Sequence, residues 1–562
     1  MTQYGNLEMN MEKRRRLGIF YTPEELAYKM AEWAIQTPRA TVLDPSFGGC
    51  AFLRAAVHRL RALSAIRPVR QVFGADRDLK ARKWLDSILS QGAREDQFYD
   101  GDFLSIKPTH FRTSFTAILG NPPYVKHHAL SDRLQRVAVR TLELNGQRLS
   151  AMASYWAYFV LHSINFIAPG GRLALVLPGS LVHAEYAQDV RIALRNSFGK
   201  VTAIMLAERI FADAQEESVL VLAEGRAEIG SEIRVGLASW KSLTLDTKHL
   251  DGMSRVLTGP EQRDSWIRAL LDSRILHVYD QVAAHSSRLG DLASIRIGIV
   301  TGANRFFVLK PSTLKSLSIA RRHTTPILSH ASSVKGLRFD RTALNMLKTS
   351  DATCLLLQSP MPGDMPPGIR RYLRKGVKER LHDRVKCAIR KPWHRVKAGQ
   401  KPDAFLTYMC GIAPRLALNE ARISCTNAIH SVTWRESVSE RNAKAIVLGS
   451  LSTLTQFSAE IVGRSYGGGV LKLEPSEACR LIIPEIPDVS AAKLFSEVHH
   501  LCLEGKYSSA TELVDEVLLG KLLTRGELMK LRLGLNLLRA RRLRRPLFSS
   551  EESNLQPVFR AS

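Results

Sequence analysis

Between Thr41 and about Gly225 the chain alternates short apolar or β-branched runs with amphipathic segments: TVLDPS, AFLRAAVHRL, QVFGAD, QFYDGD, FTAILGNPP, then GRLALVLPGSLV, VTAIML and ESVLVLAEG. Strands that are apolar throughout and separated by helical stretches need cover on both faces, so the rhythm predicts a doubly wound, mostly parallel α/β sheet. The last two runs leave room for an antiparallel strand. After Gly225 the alternation fades into mixed segments, and the chain closes on helical patterns such as LMKLRLGLNLLRARRLRRPL. The expected division is a sheet domain over 1–225, a connecting region over 226–290, a mixed α/β region over 291–490 and a basic helical segment over 491–562.

Three strand ends carry the chemistry. The first runs into Asp44-Pro45-Ser46-Phe47-Gly48-Gly49-Cys50 and then an amphipathic helix. Glycine lets a backbone approach a ligand closely, and amides at a helix start receive its polar part. No Lys-Ser/Thr pair closes the loop, which disfavours a phosphate loop. The second strand ends at Asp76, placed to accept two ribose hydroxyls one βαβ step later, and the third ends near Asp102-Phe103. Each acid alone reads as a loop or capping residue; on three successive strands they describe one adenosine-shaped site.

The fourth strand stops at Asn121-Pro122-Pro123-Tyr124. Proline cannot continue a central strand, so this is a stiff loop at the carboxyl edge, where open α/β sheets keep their ligands. Its Asn121 side-chain carbonyl and Pro122 backbone carbonyl offer two acceptors for an exocyclic amino group, and Tyr124 offers a face for the ring bearing it.

These residues resemble the S-adenosylmethionine-dependent amino-group DNA methyltransferases in the N6-adenine, γ-type motif order. Gly18 to Pro23, with Phe20, Tyr21, Thr22 and Pro23, resembles the motif that cradles the cofactor's methionine portion ahead of the sheet. Asp44 to Phe52, with Pro45, Gly48 and Gly49, resembles the glycine motif. The resemblance implies Asp76 as the ribose-binding acid, Asp102-Phe103 as the adenine-binding pair and Asn121 to Tyr124 as the catalytic tetrapeptide. Phe211, in Arg209 to Asp213, would be the second ring sandwiching a flipped adenine. Where the family often has Gly-x-Gly, this chain has Gly48-Gly49-Cys50. Ile297 to Asn304, Lys391-Pro392-Trp393, Thr426-Asn427 and Ser465 to Gly469 look like the target-recognition region of methyltransferases related to fused restriction-modification enzymes.

The implied activity is site-specific adenine-N6 methylation of double-stranded DNA, with S-adenosylmethionine as cofactor and no metal. Other acceptors for the same loop geometry are cytosine N4, a ribosomal guanine N2 or a release-factor glutamine, and a non-catalytic DNA-binding relic is a further alternative. A formal charge of +27, from 80 Lys+Arg against 53 Asp+Glu, fits a polyanionic partner. The stretch from Gly368 to Lys401 holds only Glu379 and Asp383 as acids, which makes Arg370, Arg371, Arg374, Lys375, Lys391 and Arg395 candidate DNA contacts. The Arg539–Arg545 cluster divides evenly between DNA contact and solvated helix face. No nuclease constellation of Pro-Asp followed by Asp/Glu-x-Lys stands out and only a short basic tail precedes Gly18, so any cutting enzyme is expected as a separate chain. The absence of an apolar leader or membrane span implies a cytoplasmic, DNA-associated protein. Seven cysteines without a C-x-x-C pair read as buried thiols.

Overall fold

The computed structural model describes residues 22–543, less 79–80, 126–129, 131–134, 141–148, 150–152, 208–209, 212–216, 229, 263–264, 362, 364, 467–468 and 486–490. Two compact units are present, the first running to Asp272 and the second built from Ser273–Arg464 and Gly469–Leu543.

The first unit is organised on one nine-stranded sheet: β1 (Val42–Asp44), β2 (Val72–Asp76), β3 (Phe98–Asp100), β4 (Phe115–Gly120), β5 (Ile167–Pro178), β6 (Phe198–Leu206), β7 (Ser218–Arg226), β8 (Glu232–Ala238) and β9 (Ser254–Val256). Their spatial order is β3-β2-β1-β4-β5-β7-β6-β8-β9. β1 is parallel to β2 and β4, β2 to β3, and β4 to β5. β7 runs antiparallel between β5 and β6, so the antiparallel strand anticipated near the end of this block is present.

Burial explains the composition. Val42, Leu43, Ile118, Leu119 and Leu173 to Leu177 are almost fully buried. Helices Glu24–Ala34 and Ala51–Ala62 contribute Leu26, Met30, Phe52, Leu53 and Leu60 to the core on one face. Helix Tyr155–Ile164 is buried along all 10 residues, as a helix enclosed on every side must be. The order in which strands are added reverses between β1 and β4, since β1 leads outward to β2 and β3 while β4 leads to β5 on the other side. That is the topological switch point where doubly wound sheets open a crevice beyond their carboxyl ends.

The stretch 226–290, read from sequence as a connecting region, contains β8 and β9, and these extend the same sheet: β8 parallel to β6, β9 antiparallel to β8. The alternation faded there because β8 is partly exposed and β9 is only three residues long.

The second unit is assembled from small sheets. Ala293–Ile297, His430–Trp434, Ala404–Leu406 and Leu416–Leu418 form an antiparallel group, and Val308–Leu309, Leu355–Leu357, Thr324–Leu328 and Ser424–Cys425 a mixed one. Helix Arg525–Leu543 packs on helices Thr453–Val462 and Ser273–Ala284, so the closing helical segment joins the body of this unit. Among the described residues no single helix is long and apolar enough to cross a membrane.

Candidate active site

The ends of β1 and β4 lie side by side, and both turn into loops at once. Asp44 is 1% exposed; its Oδ1 accepts the Ser46 N–H at 3.0 Å, while its Oδ2 has no hydrogen-bond partner among the described residues. Burial pushes the Asp44 carboxyl up to about 8, against the lowering effect of the Ser46 amide and with the nearby Asp76 charge adding to the rise. Ser46 Oγ in turn donates to the Asn121 backbone carbonyl at 3.2 Å. Asp44, Ser46 and Asn121 therefore form a hydrogen-bonded chain from one loop to the other. Gly120, the last residue of β4, is needed there: a Cβ would meet Pro45 Cδ at 3.2 Å and Asp44 Oδ1 at 3.3 Å.

The glycine loop wraps around the end of β2. Gly48, at φ 43°, donates its N–H to Asp76 Oδ2 at 2.8 Å, and Asp78 N–H reaches Asp76 Oδ1 at 2.8 Å. Burial raises the Asp76 carboxyl, and these two amides oppose the rise. Arg54 braces the loop from below, donating to Gly49 O at 2.8 Å and to Glu24 Oε1 at 2.7 Å. Cys50 occupies the left-handed region, φ 60° and ψ 22°, directly before helix Ala51–Ala62. This is where the chain departs from the family's second glycine, and the backbone keeps a conformation that glycine adopts without strain. Burial raises the Cys50 thiol to about 12, so it is no nucleophile at neutral pH.

At the end of β3, Asp102 caps the short turn Phe103–Ser105 through Leu104 N–H at 3.1 Å, and its Oδ2 accepts the Tyr155 hydroxyl. The Phe103 ring is 1% exposed and packs among Phe159, His162 and Phe166 at centroid distances of 5.6, 4.8 and 4.9 Å, so it forms a wall of the core next to Asp102.

Tyr124 and Phe211 are brought together, with centroids 6.3 Å apart and planes at 81°. They meet edge to face; holding a planar base between them requires one ring to turn. Val125 N–H bonds to Pro123 O at 3.0 Å and Tyr155 N–H to Val125 O at 2.9 Å, which ties the tetrapeptide loop to the buried helix. Ahead of the sheet, Pro23 precedes helix Glu24–Ala34, and Thr22 is 8% exposed with its Oγ1 unpartnered among the described residues. Phe20 and Tyr21 lie outside the described residues.

Sequence reasoning missed Ser46, Arg54 and Tyr155, because each acts by holding a neighbour and none belongs to a strand-end acid or aromatic pattern.

In the second unit, three of the singled-out segments converge. Thr301 Oγ donates to Asn304 Oδ1 at 2.6 Å, Asn304 Nδ2 to Asn427 Oδ1 at 2.9 Å, and Asn427 N–H to Ile299 O at 3.0 Å. Trp393 joins Phe306 and Phe307, each at a centroid distance of 6.0 Å. Arg370, Arg371, Arg374 and Lys375 lie on the exposed side of helix Pro367–Lys378, opposite buried Ile369, Tyr372 and Leu373, and Lys375 approaches Glu379 at 3.8 Å. Lys391 and Arg395 are exposed. The Arg539–Arg545 cluster is divided by burial: Arg542 is 1% exposed and bonds Glu460 through Nε at 2.9 Å and Nη2 at 2.7 Å, while Arg539 donates to Gln456. Those two arginines serve the interior; Arg544 and Arg545 lie outside the described residues.

Comparison with known proteins gives the following. Residues 6–248 match the N-6 DNA Methylase family, and residues 263–519 match the C-terminal domain of the Type II methyltransferase M.Eco57I. The chain is similar to the Type II methyltransferase M.AccI of Acinetobacter calcoaceticus, 23% identical over 91% of this chain and 94% of that one. It is similar also to the Type II methyltransferase M.XamI of Xanthomonas campestris pv. amaranthicola, 24% identical over 85% and 86%. Among solved structures, the fold resembles that of the Type IIL restriction-modification enzyme MmeI in complex with DNA, with a TM-score of 0.55 and 12% identity over 96% of this chain and 76% of that one.

Proposed function

We propose that this chain, whose residues 6–248 match the N-6 DNA Methylase family and residues 263–519 the C-terminal domain of the Type II methyltransferase M.Eco57I, is a site-specific DNA adenine-N6 methyltransferase, the modification component of a restriction-modification system. The observation that carries the reading is the hydrogen-bonded chain Asp44–Ser46–Asn121, which ties the loop bearing the buried, half-partnered Asp44 carboxyl to the loop bearing Asn121 at the switch point of the sheet.

S-adenosylmethionine fits the residues present. A buried carboxyl with an unpartnered oxygen and a glycine loop opening onto a helix start suit a compact, positively charged, partly polar ligand. When bound, that cofactor supplies an electrophilic methyl group on a sulfonium. Asp44 and Thr22 would meet its polar end. Each Asp76 oxygen already accepts one backbone N–H and retains a lone pair for a ribose hydroxyl. Asp102, held by Tyr155 and Leu104, would face the adenine ring.

The target adenine must leave the duplex stack to reach this crevice, at a cost of a few kcal/mol. Asn121 Oδ1 and the Pro122 carbonyl accept its two amino hydrogens, so the nitrogen lone pair is turned toward the cofactor side. Tyr124 and Phe211 enclose the ring. No general base is required to begin the transfer, since positioning supplies most of the rate. Arg370, Arg371, Arg374, Lys375, Lys391 and Arg395 would contact phosphates, and the second unit would choose the sequence. The chain modifies without cutting, and any companion endonuclease is a separate protein.

Tritium transfer from labelled S-adenosylmethionine to duplex DNA, ribosomal RNA and release factor, measured side by side, tests the substrate. Label in DNA alone, on adenine, is expected; label in RNA or protein overturns the assignment. Cleavage of DNA by the purified chain with magnesium would contradict modification without cutting.

A further inference from the structure

The second unit holds a cavity of about 370 Å³ that no motif singled out, and cations dominate its rim. Arg341 and Lys348 come from helix Arg341–Thr349, and Lys401 and Arg422 from the loops before Ala404–Leu406 and Ser424–Cys425. No carboxylate lines it. Arg341, Lys348 and Lys401 make no ion pair among the described residues, and Arg422 approaches only Asp403, at 3.8 Å. Asn345 and the almost buried Ser424 add hydrogen-bonding groups beside an apolar floor that includes Leu344 and Ile423.

Four like charges around one concavity repel one another, and the low-dielectric floor strengthens that repulsion relative to open solvent. A concave cationic site whose lining holds no acid, with only Asp403 beside one of its four cations, is completed by an anion from outside. We propose that this cavity grips the sugar–phosphate backbone of the DNA duplex, with Arg341, Lys348, Lys401 and Arg422 neutralising phosphates and Asn345 and Ser424 bonding their oxygens. The inference rests on the DNA-methyltransferase reading and adds a second anchoring place on the second unit. Its contacts reach no base edge, so they add affinity uniformly across sequences and leave site choice to other residues.

The test is the salt dependence of duplex binding by the full chain, with Lys348→Gln/Lys401→Gln compared to the natural protein on a modified-site duplex and a scrambled one. Loss of two phosphate contacts lowers the slope of log K against log salt by roughly 2, from about 0.9 per contact, equally on both duplexes. Lys348→Arg/Lys401→Arg should keep the natural slope, which separates charge from fold, and thermal melting should match across all three proteins. An unchanged slope in the glutamine variant, with DNA still bound, overturns this site and leaves the methyltransferase reading standing. Weakening confined to the specific duplex would make the cavity a base reader and overturns the proposal. Failure of the natural protein to bind duplex DNA at all would remove both this site and the reading beneath it.

Discussion

The two units treat a buried carboxylate in opposite ways. In the sheet unit, Asp44 is 1% exposed, has one oxygen without a partner and is held near a pKa of about 8 by burial. In the second unit, Glu460 is equally buried, but both its oxygens receive hydrogen bonds from Arg542, whose remaining N–H groups reach the Gly411 and Ile412 carbonyls at 2.8 and 3.2 Å. The difference separates architecture from chemistry. The Glu460 carboxylate is completed by the chain itself, whereas the incomplete Asp44 carboxyl is the one we propose for the cofactor.

Replacing each partner in turn sharpens that contrast. The folded-state pKa of Asp44, about 8, lies above its ordinary 3.8, so this carboxyl's contribution to the stability of the cofactor-free protein is fully present below pH 3.8 and is lost as pH rises toward 8. Asp44→Asn keeps the acceptor for Ser46 and removes the ionisation. Urea unfolding should show a gain that begins above about pH 4 and grows to a ceiling of roughly 6 kcal/mol near pH 8. The same variant should bind S-adenosylmethionine poorly, and its weak affinity should no longer rise between about pH 6 and 8 as the natural protein's does. A loss of stability in Asp44→Asn at every pH would mean the carboxyl is structural.

Arg542→Ala should do the reverse, costing about 3–5 kcal/mol by stranding Glu460. If chemical unfolding shows less than about 1 kcal/mol lost, the pair is not the staple that its geometry describes. Next in size is the aromatic pair: Tyr124→Ala or Phe211→Ala should weaken transition-state binding by about 1–3 kcal/mol in kcat/KM for DNA, with cofactor affinity unchanged. A cofactor defect in Phe211→Ala would move that ring from the base to the donor. Smallest is Ser46→Ala. Losing one hydrogen bond to the Asn121 carbonyl costs about 1 kcal/mol, read as a roughly five-fold fall in kcat at constant KM for S-adenosylmethionine. A change in cofactor KM alone would show that Ser46 serves only its own loop.

The sheet and its strand-end loops were legible because backbone geometry and residue type agree there. Prolines end β4, a glycine pair follows β1, and acids close the neighbouring strands, all within a run whose apolar content fixes burial on both faces. The adjacency of Phe103 to Asp102 could not reveal that its ring faces Phe159 and His162 of a helix and Phe166 just beyond it, more than 50 positions away, nor could Ser46 announce a partner 75 positions downstream. β8 and β9 escaped because exposure and brevity erase alternation. In the second unit, charge is ambiguous in sequence: Arg542 reads like Arg371, yet one is sealed against Glu460 and the other is exposed. Long-range pairing decides which, and composition carries no record of it.

Single-molecule sequencing of DNA from cells expressing either the natural chain or Asn121→Ala tests the central claim most directly. The account predicts N6-methyladenine recurring at one sequence context with the natural protein. It predicts none with Asn121→Ala, whose transfer rate should fall by roughly 10²–10³-fold while the purified variant still binds S-adenosylmethionine. Methylated cytosine in place of adenine, or adenine methylation that survives the loss of the Asn121 side chain, would contradict it.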